Sequence, residues 1–456
     1  MTTMETPQTV VERIPLSFNQ EFLCLFDKGD GEGPFGPTYN IVCGWRVHGA
    51  VDLVVLQDAL SDLVVRHESL RTVVVRGDEQ YQTVQPPTPA RLIVQDLPGV
   101  PPEQRDRRAE ELLIELETGL YTATDLPLIR AVLGRFSDDD AVLVLVAHHS
   151  AVDEWSMKVV IRDLAALYAA RKGFDLPDLP EATQYREYAA WDQERAGSAE
   201  MQKARDYWRA KARGAQIVPM RTDHLRSEGL PKGTAAYRFL IEPELTTATL
   251  EVARTMRSSP FMVLLAAYQT FLRERTGATD ITVTAFTSGR GQARFQQTVG
   301  SFFNLVPLRV DLAGCATFRD VVTRTRSSCL EAYSHDIPFG QLVAEAPEIA
   351  GSFQGDDTCV FTFQVFQFPF LLDHEAIGDL EYTDIRRRLI SQPETTDIPD
   401  GGLWTLDIDP VAGDMVGSLW FNTNLFDEGS IHALVEDFRD MLRTTVAAPD
   451  TPLKPV

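Results

Sequence analysis

Cysteine is sparse. Five residues, Cys24, Cys43, Cys315, Cys329 and Cys359, are spread over 456 positions, the count is odd, and no two stand in a C-x-x-C spacing. That disfavours a disulfide framework and a zinc ribbon, and leaves buried free thiols in a reducing compartment as the expectation. Long hydrophobic runs are missing too: none approaches the roughly 18 residues of a spanning helix. The opening "MTTMETPQTVVERIPLS" has no apolar segment of the secretory kind, so a cytoplasmic location is expected. Cationic charge is in deficit, with 43 Lys and Arg against 66 Asp and Glu and a net charge of −23. A non-specific nucleic-acid binder needs a basic surface, so the charge argues against that class and no nucleic-acid partner is expected. Attraction to anionic lipid is disfavoured for the same reason. Short-period repeats and low-complexity tracts are also absent.

What remains is a globular chain with 44% hydrophobic residues. Its length predicts two domains of about 200 residues. "VDLVVLQDALSDLVVRHESL" and "PEQRDRRAEELLIELETGLY" carry apolar residues at helical spacing. "RTVVVRG" and "YQTVQP" read as strands about a turn, and "LIRAVLGRFSDDDAVLVLVAHHSAVD" as two strands joined at "SDDD". "EWSMKVVIRDLAALYAARKG" is a helix stopped by Gly173. "FDLPDLPEATQ" is Pro-rich and aperiodic, and serves as the connection between halves. "YREYAAWDQERAGSAEMQKARDYWRAKARGA" then reads as one helical stretch, and helices and strands alternate again to the end. The fold class expected is α/β, in two layered units spanning 1–178 and 179–456.

The chemistry concentrates in "LVLVAHHSAVDEW". Alternation along the strand places His148 and His149 on opposite faces, so they have different jobs. Asp153 falls where strand gives way to helix, a position that favours a carboxylate cap. Histidine is the natural general base near neutral pH. No G-x-S-x-G motif stands nearby, which favours direct attack by a bound acceptor over an acyl-enzyme. Three readings stay open on residue types alone: a catalytic cluster, core and cap residues, or a metal site. The metal reading is the weakest, because the spacing lacks the i, i+4 geometry of H-E-x-x-H, and no metal is expected.

Several further stretches make the chain recognisable. His148-His149-Ser150-Ala151-Val152-Asp153 resembles the HHxxxDG motif of nonribosomal peptide synthetase condensation domains, in the chloramphenicol acetyltransferase-like superfamily. "PLSFNQEFLCLF", with Ser17 and Gln20, is similar to the family's SxxQ segment, and Tyr39-Asn40 to the end of its following loop. Arg66 to Thr72 matches RHExLRT, and Tyr185 to Trp191 is similar to YxDFAxW. "TSGRGQARFQQTVGSFFN" resembles the GR loop and GxFxN motif through Arg290, Gly300, Phe302 and Asn304. His335 to Gly340 is similar to HQDxPFE, whereas the late RDxSRNP-type motif is not visible.

The resemblance implies a V-shaped pseudo-dimer of two chloramphenicol-acetyltransferase-like halves with a central tunnel. It implies a free-standing, monomeric condensation enzyme without an intrinsic cofactor. The donor would ride on the phosphopantetheine of a peptidyl or acyl carrier protein and pass to a small-molecule amine or alcohol. His149 would be the base or the positioning group. Asp153 would sit in an ion pair, with Arg290 its first partner and Arg71 its second, and His148 would pack behind. Ser17, Tyr39 and Asn304 would line the tunnel, or serve as turn and cap residues. Glu154 departs from the family's glycine. It is a first-turn helix residue, a contact to a cationic or hydroxylated acceptor, or the mark of a site that only recruits partners. The competing functions are an acyl-coenzyme A-dependent transferase on the same scaffold and a non-catalytic recruitment domain. Arg386 to Arg388 reads as a solvated charge run, with carrier docking as the alternative; the basic helix with Lys203, Arg205, Arg209, Lys211 and Arg213 is a second docking candidate.

Overall fold

The structure is a computed structural model that describes residues 12–454 apart from 354, 369, 396–397 and 399–400. Two sheets organise it. The first has six strands, in the order Glu375–Ile377, Leu380–Asp384, Asn40–His48, Asp140–His148, Ile129–Arg135, Arg91–Asp96. All pairs are antiparallel except the last, 91–96 with 129–135. The 140–148 strand is buried along its whole length, as its unbroken aliphatic run requires of a strand covered on both faces. Helices Leu53–Arg66 and Glu154–Arg171 cover one face of this sheet, and helix Arg105–Glu117 covers the other.

The second sheet has four strands, in the order Phe361–Phe366, Gly402–Ile408, Met415–Asn422, Thr234–Ile241. Helices Pro260–Thr276 and Glu428–Ala447 pack on one of its faces in a single apolar cluster. The hairpin partners Asp280–Thr287 and Asn304–Asp311 extend this layer beside 361–366, where the Thr284 and Thr362 hydroxyls meet at 3.1 Å. Together the two sheets and their covering helices form two mixed α/β halves.

The halves are stitched rather than merely adjacent. Strand 380–384 belongs late in the chain yet pairs with 40–48, Trp45 opposite Asp384. The residues just beyond it are drawn into the junction, and this corrects the solvated reading of Arg386 to Arg388. Arg386 pairs with Asp409 at 2.8 Å and Asp373 at 3.1 Å, and Arg388 with Glu117. Only Arg387 keeps its side chain more than half exposed. The long helical stretch after the connection is likewise two helices, Tyr185–Arg195 and Ala199–Lys211. Gly197 and Ser198 break it, and the Ser198 hydroxyl caps the second by accepting from Met201 N–H. On that second helix Arg209 and Lys211 are paired with Glu345 and Glu331. None of the five cysteines is in a disulfide among the described residues. Among the described residues no helix is long and apolar enough to cross a membrane.

Candidate active site

Strand 140–148 delivers the two histidines to the junction. Ala151 N–H turns back onto the His148 carbonyl at 2.9 Å, so the chain reverses within four residues before the 154–171 helix begins. His148 and His149 are thereby separated, as the strand period demands. His148 is 2% exposed. Its Nδ1 accepts from Ser150, with the hydroxyl at 2.7 Å and the amide at 3.3 Å, so Nε2 carries the proton and donates to the Gly36 carbonyl at 3.1 Å. Both nitrogens are spent. Burial pushes its pKa down to about 4.

That shift gives a pH dependence whose sign follows from linkage. A neutral buried histidine binds fewer protons folded than unfolded, so stability is lost as pH falls from about 6.5 towards about 4. A displacement of that size corresponds to on the order of 3 kcal/mol. Denaturant midpoints measured between pH 7 and pH 4 are expected to fall in wild type and to fall less in His148→Gln. Parallel curves would remove His148 as the cause.

His149 is half-buried and differently placed. Its Nδ1–H donates to the Val152 carbonyl at 2.8 Å, and its backbone N–H to the Tyr39 carbonyl at 2.9 Å. The Tyr39 ring stacks on the imidazole at 4.8 Å between centroids, and Phe303 leans on it at 5.9 Å. The ring is therefore fixed in plane and in tautomer. Nε2 has no hydrogen-bond partner among the described residues, which leaves a lone pair available to take a proton.

Asp153 is the N-cap of the 154–171 helix and accepts from Ser156 N–H at 2.6 Å. Arg290 reaches it from the GR loop, with Nη2 2.8 Å from Oδ1 and 3.0 Å from Oδ2. Both terminal nitrogens of that guanidinium make further bonds, while Nε is buried without a partner among the described residues. Nη1 donates to the carbonyls of Phe295 and Thr298, Nη2 also to the Ser156 hydroxyl, and the Phe302 ring lies 3.9 Å beneath. The Ser156 hydroxyl in turn bridges Gly300, donating to its carbonyl and accepting from its N–H. Gly300 must be glycine, because a Cβ there would lie 2.0 Å from the Tyr185 ring. Arg71 is occupied elsewhere, on the carbonyls of Val64 and Gln85.

The other sequence candidates fall into distinct environments. Ser17 is fully buried, caps helix Phe18–Leu25, and meets the Tyr185 hydroxyl at 2.8 Å. Asn304 spends its amide on Asp336, on the Ile337 carbonyl and on Phe339 N–H, at the edge of a small cavity lined also by Phe22, Tyr188 and Phe303. Glu154 is the first residue of its helix and half-buried. Burial pushes its carboxyl up, against the pull of nearby His149.

Sequence reasoning gave no role to the Val152 carbonyl, Phe303, Ser156 or Lys158. Lys158 stands one turn after Glu154 and pairs with Asp384 at 2.6 Å. The i, i+4 spacing from Glu154 was the only signal for it.

A family model described as "Condensation domain" matches residues 11–456. The chain belongs to the condensation-domain family. It is 30% identical over 448 residues to a linear gramicidin synthase of Brevibacillus parabrevis, a match that covers 97% of this chain and 6% of that protein. It is 30% identical to the phosphinothricin tripeptide synthetase PhsC of Streptomyces viridochromogenes, over 96% of this chain and 39% of that one. The chain thus spans less than a tenth of the length of the gramicidin synthases it matches. The crystal structure of the SgcC5 protein from Streptomyces globisporus, in complex with (R)-(-)-1-(2-naphthyl)-1,2-ethanediol and sucrose, is similar at a TM-score of 0.92 and 49% identity, covering 96% of this chain and all of that one. The first condensation domain of the calcium-dependent antibiotic synthetase shares the fold, at 20% identity, a TM-score of 0.76 and coverage of 97% and 98%. Condensation domains of nonribosomal peptide synthesis act on substrates carried by the phosphopantetheine of carrier proteins.

Proposed function

We propose that the chain joins a carrier-tethered acyl or aminoacyl thioester to a hydroxyl of a small acceptor, forming an ester. The observation that carries this reading is His149: Nδ1–H is fixed on the Val152 carbonyl and Nε2 is left open. The acceptor oxygen attacks the thioester carbonyl carbon while its proton passes to His149 Nε2. The tetrahedral intermediate collapses, the C–S bond breaks, and the pantetheine thiolate leaves and recovers the proton from His149. No group beyond donor, acceptor and imidazole is needed for the balance.

Two observations favour a hydroxyl over an amine. The similar SgcC5 protein was solved with an aryl 1,2-ethanediol, a molecule with two hydroxyls and no amine. Glu154 stands where the family motif has glycine, and burial holds its carboxyl towards the neutral form. A carboxyl less ready to ionise attracts a cationic amine less, and still accepts from a hydroxyl.

The test is an acyl-transfer screen. Aminoacyl and aryl-acyl thioesters on a carrier protein, and the same groups on coenzyme A, are mixed with aryl diols and amines and read by mass spectrometry. Ester product from the carrier-bound donors is expected. Amide alone would overturn the hydroxyl assignment, and product only from coenzyme A thioesters would overturn the carrier. Binding of carrier without any product would leave a recruitment role.

A further inference from the structure

The second sheet has two faces with different fates. Phe363, Val365, Trp404 and Leu406 turn into the helical core and are buried. The alternate side chains of the same two strands, Gln364, Phe366, Thr405 and Asp407, are half-buried on the opposite face. That face is linked to His149 through two phenylalanines. The Gln364 side-chain oxygen accepts from Phe286 N–H, the Phe286 ring meets Phe303, and Phe303 leans on His149.

Asp407 stands out on this wall. Among the described residues its side chain makes no hydrogen bond and no ion pair. The groups that bear on it are Lys158, Asp409, Arg386 and Asp384. Both cations in that set are already committed: Lys158 to Asp384 at 2.6 Å, Arg386 to Asp409 at 2.8 Å and to Asp373 at 3.1 Å. Asp407 is the carboxyl left over. Beside it in register is Phe366, whose ring stacks on Phe368 at 5.7 Å, and Lys158 Nζ lies 5.0 Å from the Phe368 centroid. Two cations, Lys158 and Arg386, thus stand among four carboxylates, Asp373, Asp384, Asp407 and Asp409, and each is paired with a carboxylate other than Asp407, which is left short of counter-charge although Arg386 Nη1 has no hydrogen-bond partner among the described residues.

We propose that Asp407 is the docking point for the ammonium group of an aminoacyl donor, held against this sheet face beside Phe366. The inference rests on the condensation reading above and narrows its donor to an acyl group that carries a free amine. It assigns Asp407 a binding role, distinct from the proton transfer at His149. An ammonium supplies up to three N–H donors to a carboxylate that has none. Burial pushes the Asp407 carboxyl up to about 7, as befits a carboxylate whose partner has not arrived. A proton and an ammonium therefore compete for it.

Calorimetric binding tests this without turnover, so its outcome is separate from that of the ester reading. The probes are phenylalanyl-aminopantetheine, in which an amide replaces the thioester, and its 3-phenylpropionyl counterpart without the amine. Wild type is expected to bind the amine-bearing probe about ten-fold more tightly, a difference of about 1.4 kcal/mol. Asp407→Asn is expected to lose that preference and to bind the deamino probe within about two-fold of wild type. Below pH 7 the affinity of wild type for the amine probe is expected to fall by up to about ten-fold per unit, since one proton is taken up where the ammonium sat. Asp407→Asn should not show that slope. Equal affinity for the two probes in wild type would overturn the proposal, as would equal losses of both probes in the variant. If Asp407→Asn fails to fold, the probe preference and the pH slope of wild type still decide it.

Discussion

His149→Ala is expected to reduce kcat/KM with a hydroxyl acceptor by about 10²–10⁴, the range of a positioned general base. The size depends on what attacks. An alcohol carries its proton into the reaction and gains most from a base at the moment of bond formation. An α-amine, with a pKa of about 7.7–8.0, is partly neutral already and needs mainly to be held in place. The same substitution should therefore cost much less with an amine of matched size. Stability should barely move, because the imidazole is half-exposed and its one hydrogen bond is to the Val152 carbonyl of the adjoining turn. The measurement is kcat/KM for both acceptors in both proteins, alongside a denaturant titration. Equal losses with alcohol and amine would show that His149 orients the nucleophile and takes no proton from it.

Much of this was legible in the chain before its structure. Strand alternation alone separates His148 from His149, and the structure shows one sealed between Ser150 and Gly36 and the other opening from the strand end. The apolar periods gave the helices that cover the first sheet. What sequence could not show is long-range pairing. Nothing in "EYTDIRRR" says that its strand crosses to the sheet of the first half, so its arginines looked solvated although two are spent in ion pairs. A helical period does not reveal an interruption when the break residues are as small as Gly197 and Ser198. The sheet face that carries Asp407 was hidden for the same reason. "LWTLDID" alternates as any half-buried strand does, and Asp407 stands apart only once Lys158, 249 positions earlier, is seen to be committed to Asp384.

Asp153→Ala is expected to yield a protein destabilised by about 3–5 kcal/mol, because it strands a buried guanidinium. Arg290 is 1% exposed at its side chain and Asp153 7%, so water cannot replace either partner. The loss propagates. Asp153 also caps the helix through Ser156 N–H, and Arg290 also donates to the Ser156 hydroxyl that ties Gly300 to that helix. One substitution thus loosens a cap, an ion pair and the seam between the halves. Arg290→Ala should cost a similar amount, and the double variant clearly less than the sum, since removing both charges leaves neither unpaired. Urea titrations of the four proteins would give the coupling. Additive losses would mean that the 2.8 Å contact carries little energy. An Asp153→Ala protein of ordinary stability that had lost all transfer activity would move the carboxylate out of the scaffold and into the chemistry. That outcome is disfavoured by geometry. Both of its oxygens face Arg290, one also meets the helix amide, and the nitrogen of His149 that a relay would use is already bonded to Val152.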